Sequence, residues 1–167
     1  METGKNPRIV DAQVYIPVLQ SVMEEGKVVP LIITGSSMTP FLVPGRDRIF
    51  LKKAEGPLKR GDMAFFRRPN GQYVFHRIRR VRGDQYYFLG DAQTEIEGPV
   101  PRSAIFALAV QVERKGELLT PDSFWWKFFR DVWPLLRPVR RPICRLYAAL
   151  TPRRRSGSST QHRGGTP

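Results

Sequence analysis

The chain has 167 residues, one domain's worth with room for a short appendage. Apolar residues make up 41% and aromatics 11%, enough for a buried core, while 28 Lys plus Arg against 15 Asp plus Glu give a formal net charge of +13. That balance favours polyanionic partners. One cysteine, Cys144, and two histidines, His76 and His162, exclude an internal disulfide and a metal centre built from several Cys or His, so no cofactor is expected.

Residues 1–26 read as an N-terminal helical segment. The opening METGKNPR runs into mixed polar sequence, with no apolar stretch of the signal-peptide kind. Pro17 suits a first helical position, and Val18, Leu19, Val22 and Met23 follow at helical spacing before Glu24-Glu25-Gly26, which predicts a helix over 17–25. Residues 9–16 fit either an extended lead-in or an earlier helical turn interrupted at Pro17.

Residues 27–120 change texture. KVVPLIIT, DRIFLKK, MAFFRR, QYVFHRIRRV, QYYFLG and SAIFALAVQVER are six strand candidates. Pro69-Asn70-Gly71, Arg82-Gly83-Asp84 and Lys115-Gly116 supply turns between several of them. Closely spaced strands without intervening helices predict a mainly β fold, an antiparallel β domain of sandwich or partly open barrel type.

Residues 121–150 form a Trp/Arg/Pro-rich helical segment holding all three tryptophans. Prolines 134, 138 and 142 break it into two or three short amphipathic pieces. Trp125, Trp126, Phe129 and Trp133, interleaved with Arg137, Arg140 and Arg141, either meet an anionic membrane surface or pack back onto the β domain. Residues 151–167 are expected to be a disordered basic tail. From 132 to 167 there are eight arginines and no acidic residue. The longest apolar runs, 28–33 and 105–110, fall far short of the roughly 20 residues a membrane span needs. The expected setting is cytoplasmic, at most peripheral at the inner face of the membrane.

Three places can carry chemistry. Thr34-Gly35-Ser36-Ser37-Met38-Thr39-Pro40 follows an apolar strand and forms a loop able to hold a serine beside free backbone N–H groups, the requirements of a nucleophile and an oxyanion site; ordinary turn composition reads the same way. His76 shares a strand face with Val74 and Ile78, so it is either a core histidine or a base held away from water. Gly90-Asp91, at a strand end, is either a turn or the position of a carboxylate that orients the histidine or buttresses the serine loop. Gly61-Asp62 and Pro44-Gly45-Arg46-Asp47 are read as structural turns.

In combination and order, GSSMTPFLVPGRD, LKRGDMAFF, YVFHRIRRV and YYFLGD resemble the signal peptidase I and LexA-type serine peptidase superfamily over about residues 27–115. The resemblance implies a LexA/signal-peptidase-like β domain with an N-terminal helix and a helical, basic C-terminal tail. It also implies Ser37 as nucleophile, His76 as base in the arrangement of the endoplasmic-reticulum-type members, and Asp91 in the family's G-D-N box. Gly35, Ser36, Met38 and Pro40 would form the oxyanion and substrate loop. The sequence departs from the pattern at Gly35, where many members carry a hydroxyl, and at Ala92, where Asn is usual. Beyond Asp91 the nearest acids are Glu95 and Glu97.

The implied function is a serine endopeptidase acting on a peptide or precursor protein. Two other readings stand beside it: a non-catalytic β domain binding a membrane or polyanion through its tail, and a self-cleaving LexA-like regulator. No nucleic-acid-binding motif is recognisable, and Cys144 is expected to be a packed thiol.

Overall fold

The structure, a computed structural model, describes residues 12–150, apart from the side chains of 12–14, 137–139, 141 and 148. The expectations for residues 1–11, for the basic tail 151–167 and for the side chains of Arg137 and Arg141 lie outside the described residues.

Helix α1 (Ala12–Glu24) places Ile16, Leu19 and Met23 on one buried stripe, the i, i+3, i+7 spacing that lets a helix cover a sheet. It starts earlier than expected, and Pro17 lies inside it. The ring is on the exposed side, so one hydrogen bond is lost while the apolar stripe continues past it, and the packing of that stripe outweighs the broken bond.

Eight strands follow: β1 (Val29–Ile32), β2 (Arg48–Lys53), β3 (Met63–Arg67), β4 (Tyr73–Arg82), β5 (Gln85–Leu89), β6 (Glu97–Pro101), β7 (Ile105–Arg114) and β8 (Glu117–Leu119). They form one antiparallel sheet in the order β1-β2-β7-β3-β4-β5-β6, with β8 paired to β7. Six of these are the expected strands. The other two are short: β8 follows the Lys115-Gly116 turn, and β6, EGPVP, holds two prolines and a glycine that mask its pattern.

Both faces of the sheet are covered. Phe65 and Phe75, paired across β3 and β4, join a cluster with Ile16, Met38, Phe41 and Trp126, whereas their neighbours Phe66 and Ile78 join a second cluster with Phe88 and Val100. Four consecutive residues of β3 are therefore buried, because a strand covered on both faces has no polar side to show.

The C-terminal segment is broken as its prolines predict, into α2 (Phe124–Asp131), a 3₁₀ stretch (Trp133–Val139) and α3 (Arg140–Leu150). Trp126, Phe129 and Trp133 are buried in the first core cluster, and Arg140 is 1% exposed. These four residues therefore do not present a membrane surface: Phe41, buried beneath the serine turn, has its ring centroid 6.2 Å from Trp126 and 4.9 Å from Phe129, and Trp133 and Arg140 hydrogen-bond to backbone carbonyls. Trp125 is partly exposed, with the Arg114 guanidinium over its ring at 5.3 Å. Among the described residues no helix is long and apolar enough to cross a membrane.

Candidate active site

The chain leaves β1 through Ile33, Thr34 and Gly35 into a tight turn. The Thr39 amide donates to the Ser36 carbonyl at 3.0 Å and the Leu42 amide to the Met38 carbonyl at 2.9 Å. Met38, Pro40, Phe41 and Leu42 are buried beneath the turn and anchor it, while Gly35 and Ser36 face outward. Ser37 is half-buried at the boundary, and its hydroxyl has no hydrogen-bond partner among the described residues. The loop's far end is pinned by Asp47, whose carboxylate accepts the Val43 amide at 2.8 Å, the Lys115 amide at 3.2 Å and the Arg46 guanidinium.

The Ser37 carbonyl is held from below. It accepts the Ala92 amide at 2.8 Å. Gly90 comes so close that a Cβ built on it would lie 2.6 Å from the same oxygen, so a residue without a side chain is required there. Gly90 is the residue immediately after the Arg77↔Leu89 pair of β4 and β5, on the side of His76. The strand register thus sets the backbone seat of the serine turn, at the end of β5, level with the His76 position of β4.

His76 lies on β4 opposite Ala64, on the face that carries Ile78, as strand alternation predicts, and is 2% exposed. Its Nδ1 is buried without a hydrogen-bond partner among the described residues. The carboxylate of Glu97 is 3.8 Å from that nitrogen and forms a two-pronged ion pair with Arg68, at 2.5 and 2.7 Å. Burial is the main force on the imidazole and drives its pKa from 6.5 down to about 4; Glu97 opposes the shift and Arg68 adds to it. The ring is neutral at physiological pH, the state a proton acceptor needs. A cavity of about 550 Å³, lined by Arg68 and residues 92–97, opens beside this group.

Asp91 is not beside His76. Its carboxylate receives the Arg77 guanidinium at 3.0 and 3.2 Å, and both side chains are almost wholly buried. Arg77 also donates to the Gly61 carbonyl at 3.2 Å and lies 5.2 Å from the centre of the Phe41 ring. Successive residues of β4 thus serve opposite faces: Arg77 supports the serine loop from one and His76 meets Glu97 on the other. Glu97 was visible in the sequence only as a nearby acid; its contact with His76 depends on a strand whose prolines hide it. Cys144 is half-buried, its sulfur 3.8 Å from the Thr39 carbonyl, and burial pushes the thiol pKa up, away from nucleophilic use.

The chain thus holds a serine in a turn docked on the Gly90–Ala92 backbone and a neutral, buried histidine on β4. The chain belongs to the Peptidase S24-like family, whose model matches residues 3–96. The match spans α1 to the end of the Gly90–Ile96 loop, including Ser37, His76 and Asp91, and confirms the superfamily that the ordered motifs resemble. No curated protein is similar enough to the chain to be named as a relative.

Proposed function

We propose that this protein is a serine endopeptidase in which Ser37 is the nucleophile and His76 the base. The observation that carries the reading is the docking of the Ser37 carbonyl onto Gly90 and Ala92, next to the β4 position of His76, within an S24-like domain. Ser37 Oγ attacks the scissile carbonyl carbon while His76 accepts its proton. The tetrahedral oxyanion draws on the backbone N–H of Ser37, with Ser36 or Thr34 as further donors, since Gly35 has no hydroxyl. Collapse expels the amine, which takes the proton from His76, and leaves an acyl-serine. Water, deprotonated by His76, then hydrolyses that ester and restores Ser37.

Glu97 takes the role of orienting carboxylate that the sequence left open for Asp91. It lies at Nδ1 and favours the imidazolium formed during attack. Asp91, paired with Arg77, buttresses the loop. The substrate is a peptide or precursor protein, taken as an extended strand by analogy with the family.

Wild type, Ser37→Ala and His76→Ala incubated with a diverse peptide pool and read by mass spectrometry test this. New termini should appear with wild type and vanish in both variants. Cleavage that persists in Ser37→Ala overturns the mechanism, and fragments of the chain itself would place it with self-cleaving regulators.

A second reading, surface attachment, is favoured by one observation: the outer faces of α2, the 3₁₀ stretch and α3 expose Phe124, Leu135, Leu146 and Leu150 at 62–75%, next to the arginines of 153–155 in sequence. These differ from the buried tryptophans the sequence pointed to. Co-sedimentation with anionic but not neutral vesicles supports attachment, and no pelleting with either ends it.

A further inference from the structure

The S24-like match ends at residue 96, yet the segment after residue 120 is bonded to both halves of the candidate site. On the serine side, Phe41 is packed between Trp126 and Phe129, the Cys144 sulfur approaches the Thr39 carbonyl, and Arg46 donates to the Tyr147 hydroxyl at 3.3 Å. On the other side, the Trp133 indole N–H donates to the Asp91 carbonyl at 2.7 Å. Arg140 Nη1 donates to the Gln93 carbonyl at 2.9 Å, and its Nη2 and Nε donate to the Trp133 carbonyl at 3.1 and 3.3 Å.

Trp133 and Arg140 are almost wholly buried, at 4% and 1% exposed. A guanidinium is removed from water only where its donors are satisfied, and here three bonds go to the backbone carbonyls of Gln93 and Trp133. Residue 92, between the two gripped carbonyls, is the one whose N–H holds the Ser37 carbonyl.

We propose that the C-terminal segment is a clamp on this site, with Trp133 and Arg140 as positioning residues that fix the 91–93 turn and, through the Ala92 amide, the seat of Ser37. The inference of an effect on cleavage rests on the peptidase reading; the clamp itself does not. The other bonds described for the turn are the Arg77–Asp91 pair and the Ala92 amide on the Ser37 carbonyl itself.

The test uses the full chain as wild type, Trp133→Phe, which keeps an aromatic ring and removes only the indole donor, and Arg140→Gln. Amide hydrogen exchange is followed at Ala92, with Phe65 and Ala107 in the central strands as references. The expected result is faster exchange at Ala92, up to about tenfold in Trp133→Phe for one lost hydrogen bond and more in Arg140→Gln, with the references unchanged. Cleavage, where wild type cleaves, should lose kcat in the same order with KM held. Unchanged exchange at Ala92 in both variants overturns the clamp, as does a rise shared equally by Phe65 and Ala107, which would mark ordinary core residues. Local loosening in a chain whose wild type cleaves no peptide upholds the clamp and removes the peptidase reading instead.

Discussion

Gly90 faces Ser37 at a spacing that leaves no room for a side chain: its Cβ would lie 2.6 Å from the Ser37 carbonyl oxygen and 2.9 Å from Gln93 Oε1. The first neighbour is backbone and cannot step aside. Gly90→Ala should therefore push the serine turn off the Ala92 amide, lowering stability by about 1–3 kcal/mol, the usual cost of overpacking, and reducing cleavage about a hundredfold or more through misplacement of the nucleophile. Gly35→Ala, where the Cβ would meet open space, serves as the stability control. Denaturant unfolding of both variants checks the contrast.

His76 also sets a pH dependence of folding. Its pKa is 6.5 in a free chain and about 4 when buried, so between those values the unfolded chain holds a proton that the folded one does not. Stability is then full above pH 6.5 and falls as pH drops towards 4, by about 3 kcal/mol in total. Urea unfolding at several pH values should show this slope in wild type, and a reduced one in His76→Gln.

The groups around the imidazole act in opposite directions. Arg68 lowers the His76 pKa and Glu97 raises it. Arg68→Gln should therefore move the titration upward and Glu97→Gln downward, read by imidazole NMR with His162 replaced so that a single histidine remains. If cleavage depends on neutral His76, its acid limb should move with the same two substitutions. An acid limb that ignores both would remove His76 from the role of base.

Asp91 and Arg77 form a pair with side chains 4% and 1% exposed. Removing one partner strands a buried charge, and Asp91→Ala should cost about 3–5 kcal/mol. Because Glu97 rather than Asp91 approaches His76, this variant should lose thermal stability while the folded fraction keeps the wild-type pH profile of cleavage. A shifted profile would return Asp91 to the histidine.

Much of this architecture could be read directly from the residues. The strands from KVVPLIIT to SAIFALAVQVER declare themselves by β-branched and aromatic runs cut by glycine turns, and the order of the serine turn, His76 and Gly90-Asp91 points to the family that the chain belongs to. What stayed hidden depends on contacts distant in sequence. Pro17 reads as a helix start because its local rule is strong, whereas burial of Ile16, Leu19 and Met23 carries the helix through it. Glu97 sits in a run whose prolines argue against a strand, and only pairing with β5 brings it to His76. The tryptophans 126 and 133 have the composition of a lipid-facing segment, and the buried Phe41 ring and the Asp91 carbonyl decide otherwise.

The two ends of the sheet carry one further consequence. Strand β1 contains Pro30, and β6 contains Pro99 and Pro101. Each proline lacks a backbone N–H, and prolines in edge strands disfavour extension of a ladder. A sheet with open edges is exposed to pairing with another copy of itself in the same way. Imino acids at both rims hinder such edge-to-edge stacking of copies.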